Sequence, residues 1–199
     1  MRILTNVILT IILLIYLPVQ IGCQRKSKEL SPFFDGLYFR YTDVKSSVRG
    51  DILYTIKKVG NKYEIIKDDS NKSNILGEII TYVVDYYGFI KETPVRVRKT
   101  SKKTKKLEDL KGRQICIWIP PKALQIGNIF KTSFLHGSVR VIEQTTWEGW
   151  DVWVLKDRAG NKCFYDSETG FMVGSQSISV GIVGSVKTIL IDTNADIQL

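Results

Sequence analysis

Two hydrophobic rhythms divide this chain. Residues 7–17 form an apolar run interrupted by Thr10, whereas from Phe33 onward apolar and polar positions alternate. Leu37, Phe39 and Tyr41 alternate with Tyr38, Arg40 and Thr42, and Ile52, Tyr54 and Ile56 alternate with Leu53, Thr55 and Lys57. A period of two puts successive side chains on opposite faces of a strand. Gly60-Asn61 separates the second run from Tyr63-Glu64-Ile65-Ile66 and reads as a tight hairpin. Residues 68–74 read as a polar loop. In residues 75–91, the β-branched and aromatic series Ile79-Ile80-Thr81-Tyr82-Val83-Val84-Asp85-Tyr86-Tyr87 favours a strand over a helix. Residues 114–119 predict a further strand, stopped by Pro120-Pro121. Residues 122–134 fit a short helix or a loop, because Ala123, Ile126 and Phe130 are near helical spacing while Gly127 interrupts them.

The final third is plainer. Short strands are predicted over residues 139–146, 150–156, 163–166, 171–179 and 186–192, with turn signals between them such as Glu148-Gly149 and Gly160-Asn161. Strands at such regular spacing, without intervening helices, indicate an antiparallel meander. The fold class read from the pattern is mostly β, in one domain over residues 33–199.

The amino terminus is organised differently. Arg2 precedes the apolar run, and Pro18-Val19-Gln20-Ile21-Gly22-Cys23 follows it. A positive start, an apolar core and a small residue before a cleavage point make residues 1–22 a secretory signal peptide. Ile21-Gly22-Cys23 resembles the end of bacterial lipoprotein signals, departing from them at Gln20, where leucine usually stands. The resemblance implies that Cys23 becomes a lipid-carrying new N-terminus, with palmitate among its acyl chains. Two other readings stay open: a plain secreted protein, or a retained helix over residues 3–22, about long enough to span a bilayer. All three send the body of the chain out of the cytoplasm, to a cell-envelope location facing the periplasm or the exterior. Residues 23–32 are polar and charged, a flexible tether between anchor and domain.

The chain of 199 residues carries a formal charge of +9. Seven cations lie between residues 96 and 106, namely Arg96, Arg98, Lys99, Lys102, Lys103, Lys105 and Lys106. Such a run is suited to an anionic lipid surface or a polyanionic glycan. It equally suits a solvated hairpin tip that resists edge pairing. Export argues against nucleic acid as the partner. With Cys23 assigned to lipid, Cys116 and Cys163 remain. They leave open a disulfide, which an oxidising compartment permits, or two buried thiols packed as small hydrophobes.

Residues 150–174 contain a strand, a turn, the strand Lys162-Cys163-Phe164-Tyr165-Asp166 and then Ser167-Glu168-Thr169-Gly170-Phe171. The aromatic-Asp-x-x-Thr-Gly-apolar turn resembles a hairpin of lipoprotein-localisation-factor-like carriers. That resemblance implies a single curved antiparallel sheet or incomplete barrel, with at most one or two short helices, whose concave face takes an acyl chain or another apolar ligand. Read from the residues alone, Asp166 caps the turn and Gly170 supplies a positive φ. Trp150 and Trp153 fall on opposite strand faces. One of those faces must be core; both tryptophans are candidates for ligand contact, with core or edge packing as the alternative.

Chemistry is sparse. There is no Gly-x-Ser-x-Gly elbow and no His-Glu-x-x-His pair, and the single histidine, His136, sits in a predicted turn. Asp192, Asn194 and Asp196 imitate the start of a calcium loop, but Ile197 stands where its glycine belongs. The expectation is a non-enzymatic protein with neither metal nor cofactor. It is anchored to a membrane by lipid and binds a lipid-like or other apolar ligand. The alternative is a structural or assembly lipoprotein that docks an envelope protein through its sheet edge or basic loop.

Overall fold

A computed structural model describes residues 32–44, 50–69, 77–98, 101–133, 138–178 and 186–197. The signal peptide, Cys23, Lys99 and His136 lie outside the described residues. The described strands are β1 (Tyr38–Val44), β2 (Asp51–Val59), β3 (Lys62–Asp68), β4 (Glu78–Val84), β5 (Val95–Arg98) and β6 (Thr104–Lys106). They continue as β7 (Ile129–Lys131), β8 (Ser138–Trp147), β9 (Trp150–Lys156), β10 (Lys162–Asp166), β11 (Met172–Ser177) and β12 (Val186–Thr193).

All twelve join one unclosed antiparallel sheet in the order β6-β5-β4-β3-β2-β1-β12-β11-β10-β9-β8-β7. The mostly-β class is therefore what the alternation indicated. The meander is joined at its ends, because β1 pairs with β12. Its break falls between β6 and β7, in mid-chain.

Alternation decides which face is buried. Phe39 and Tyr41, Tyr54 and Ile56, Tyr63 and Ile65, and Ile80, Tyr82 and Val84 are all buried at a spacing of two. The Gly60-Asn61 hairpin joins β2 to β3 as expected, with Val59 opposite Lys62 and Gly60 at φ +61°.

The segment between β6 and β7 corrects the sequence reading. Residues 114–119 are not a sheet strand. Only isolated bridges form there, from Gln114 and Trp118, although residues 114–119 are all buried. Their backbone groups bond in several directions. Ile115 N–H donates to Gly88 O at 2.8 Å, Gln114 N–H to Lys131 O at 2.9 Å and Ile119 N–H to Gly170 O at 3.0 Å, while Ile117 O accepts from Met172 N–H at 3.0 Å. A run that is apolar on every side belongs in an interior, and periodicity alone does not distinguish that from a buried strand. This inner segment crosses the face of the sheet and fills it. The ambiguous stretch that follows mixes a very short helix with turns and a strand. It holds a 3-10 turn at Pro121–Ala123 and then β7.

The turn after β10 holds the inner segment in place. Asp166 Oδ1 accepts the Thr169 N–H at 2.7 Å and its hydroxyl at 2.6 Å, and Trp118 Nε1–H donates to Thr169 O at 3.0 Å. Gly170 has φ +73°, and a methyl group there would collide with the Ile119 carbonyl oxygen. Glycine meets both demands, of backbone conformation and of close approach. Phe33, Phe39, Tyr63, Trp118 and Phe171 complete an aromatic cluster on this side, with Phe39 and Phe171 centroids 4.8 Å apart.

Candidate functional site

Antiparallel register sets a row of side chains across the inner face. Tyr54 stands opposite Lys67, Lys67 opposite Ile80, and Ile80 opposite Arg96. Opposed residues share a face, as do residues two apart along a strand, so Glu78 and Tyr82 flank Ile80 on that same side. Two cations and a carboxylate thus occupy positions that the alternation elsewhere gives to apolar residues. They neutralise one another. Lys67 Nζ lies 3.2 Å from Asp69 Oδ2 and 3.9 Å from Glu78 Oε1, and Arg96 Nη1 lies 3.4 Å from Glu78 Oε2.

The inner segment faces this row across a cavity of about 230 Å³, with Leu107, Leu110, Cys116 and Ser133 on the opposing wall. Cys116 N–H donates to Ser133 Oγ at 3.0 Å, and the Cys116 thiol shares a hydrogen bond of 3.6 Å with the Tyr54 hydroxyl. Burial pushes the Cys116 thiol above its ordinary pKa, against the opposing pull of Ser133, Tyr54 and Lys67. Tyr82 is only 3% exposed. Its hydroxyl has no hydrogen-bond partner among the described residues. Every fully enclosed side-chain polar atom among the described residues has a partner, so this hydroxyl borders the free space of the cavity. Burial, helped by Cys116, Glu78 and Asp69, raises its pKa well above that of a free phenol, and it is a donor at neutral pH.

Exposure divides the basic run. Register sets Arg98 opposite Glu78 and Lys105 opposite Arg96, all on one face, yet Arg96 is half-buried against Glu78 whereas Arg98, Lys102, Lys103, Lys105 and Lys106 are exposed. They belong to the β5–β6 hairpin at one end of the sheet, where β6 is the terminal strand and exposed along its length.

The two tryptophans separate as their parity requires. Trp153 is opposite Tyr165, whose hydroxyl donates to Cys116 O at 2.8 Å, so Trp153 shares the inner face. Trp150 lies on the other face with Val152, Val154 and Phe164. There Trp147 stacks on Phe164 with centroids 4.1 Å apart and leaves room only for glycine at position 174. Trp147 also stacks on Trp150 at 6.3 Å and carries Lys187 Nζ 5.3 Å from its ring centroid. Both Trp150 and Trp153 are half-buried against the core. Trp150 also borders an open hollow of about 730 Å³ lined by Glu148, Asp151, Glu168 and Asp196.

Cys116 and Cys163 are free, buried thiols in the structure rather than a bridge. Burial drives the Cys163 thiol well above its ordinary pKa. Among the described residues no group of three His, Cys, Asp or Glu side chains is placed to hold a metal ion.

Reasoning from sequence singled out neither Lys67, Glu78 nor Tyr82. A signal was present all the same. Tyr63, Ile65 and Lys67 share one phase, as do Glu78, Ile80 and Tyr82, so charged residues stand on the apolar phase of two neighbouring strands. Neither a protein-family model nor a curated protein matches the chain.

Proposed function

We propose that this chain is an exported lipoprotein, moored to a membrane through acylated Cys23, which docks an anionic surface of the cell envelope through its terminal β5–β6 hairpin. It does so as a non-enzymatic module. The observation that carries this reading is the set of exposed cations Arg98, Lys102, Lys103, Lys105 and Lys106, gathered on the hairpin that ends the sheet. An edge strand of this composition repels further strands and attracts polyanions. Docking is favoured over acyl-chain carriage because the chain's own buried residues 114–119 lie over the inner face that a carrier would keep for its cargo.

The test uses the protein with Cys23→Ser, so that no acyl chain contributes. Lys102, Lys103, Lys105 and Lys106 are replaced by Gln, and binding to phosphatidylglycerol vesicles and to neutral vesicles is measured. Each charge contributes about 1 kcal/mol near an anionic surface, so the fourfold variant should lose affinity on the order of a thousandfold at low salt. Unchanged affinity would overturn the docking role. The mooring has its own check in the mass of the mature native protein. An unmodified Cys23, or a chain still beginning at Met1, would overturn it.

A further inference from the structure

We propose that the cavity between β3–β5 and the inner segment is a binding site for a small organic carboxylate with a short apolar body. The inference does not rest on the exposed cations of the docking hairpin: Arg96 lies on β5 of that hairpin but is half-buried against Glu78.

Three donors meet there with unused capacity. Among the described residues the Tyr82 hydroxyl has no hydrogen-bond partner, although the residue is 3% exposed. Among them, too, the Arg96 guanidinium makes no hydrogen bond and meets Glu78 as an ion pair at 3.4 Å. Lys67 donates one hydrogen bond, to Asp69 at 3.2 Å, of the three its ammonium can make. A buried polar group without a partner is a standing cost, and a donor-rich, partly desolvated cluster is relieved by an acceptor that several donors can share. A carboxylate is such a group, with two oxygens matched to the fork of an arginine.

The rest of the wall sets the body of the ligand. Ile80, Leu107 and Leu110 are apolar, and the rings of Tyr54 and Tyr82 add further apolar area. A volume of about 230 Å³ holds about seven water-sized groups, which suits a short-chain acid and excludes a full-length acyl chain. Glu78 and Asp69 balance Lys67 and Arg96, and Asp109, which also lines the cavity, pairs with Arg113 at 3.7 Å, so the empty site is near neutrality. An incoming carboxylate takes up donors that Glu78 leaves idle and need not displace it.

The test is titration of the full chain with butanoate and hexanoate, with 1-hexanol, hexylamine and inorganic phosphate as controls, followed by calorimetry and by backbone amide shifts. A ligand of this size is expected to bind with Kd on the order of 1 mM. The shifts should centre on Lys67, Ile80 and Tyr82. Tyr82→Phe should weaken hexanoate several-fold while leaving the unliganded melting temperature unchanged, and Arg96→Gln should weaken it more than tenfold. The Tyr82 variant keeps the test open if Arg96→Gln does not fold. Absence of saturable carboxylate binding, equal binding of inorganic phosphate or the alcohol, shifts confined to the β5–β6 hairpin, or full affinity in Tyr82→Phe would each overturn the proposal.

Discussion

Under β9–β11 the inner face is dry, while under β3–β5 it holds a polar cavity, although both wings of the sheet follow the same period of two. On the dry side Leu155, Cys163 and Tyr165 are almost fully buried, and the one hydroxyl among them donates to the Cys116 carbonyl. On the other side the equivalent inward positions carry Lys67, Glu78 and Arg96, and the Tyr82 hydroxyl has no hydrogen-bond partner among the described residues. Dry packing of this kind supplies stability. Charged groups that must be buried and neutralised supply little net stability. Their presence at core positions on one wing is what the proposed carboxylate site draws on.

The largest effects should come from the interior of the dry wing. Ile117→Ala removes a fully buried side chain from the inner segment and should cost about 2–5 kcal/mol in chemical denaturation. Ile80→Ala, on the cavity wall, should cost nearer the lower end of that range, because water can enter the space it leaves. Equal losses would mean that the wings are packed alike.

The thiols sharpen the comparison through pH. Burial raises both above the ordinary value of 9.0, so the native state keeps protons that the unfolded chain releases. With fewer protons bound in the unfolded state, stability falls as pH rises. The curve should be flat below pH 9.0 and decline above it, as the unfolded chain releases thiol protons that the folded chain holds. Cys163 has no hydrogen bond working against burial, whereas Cys116 has Ser133 and Tyr54. Cys163→Ala should therefore flatten the alkaline decline more than Cys116→Ala does. A decline unaffected by either variant would place its origin in the tyrosines.

Much of the sheet was legible because alternation reports burial directly. Phe39 and Tyr41, Tyr54 and Ile56, and the Gly60-Asn61 turn sit where the pattern put them. So does the capped turn from Asp166 to Gly170. The inner segment escaped the reading because Ile115, Ile117 and Ile119 share a phase that a central strand would also show. Only the directions of their hydrogen bonds tell the two apart. The cavity escaped for a different reason. Lys67, Glu78 and Arg96 lie on three strands, and they become neighbours only once register is known. Arg96 in particular read as one more member of a basic run, since composition does not say which way a side chain faces.

The smallest predicted difference is also the most direct test of the contrast between the wings. Denaturation midpoints of Tyr165→Phe and Tyr82→Phe compare the loss of one hydroxyl on each side. Tyr165→Phe strands the buried Cys116 carbonyl and should cost about 1–2 kcal/mol with an unchanged m-value. Tyr82→Phe removes a group with no hydrogen bond and should change stability by less than about 0.5 kcal/mol. Equal losses in the two variants would contradict a dry wing set against a wet one.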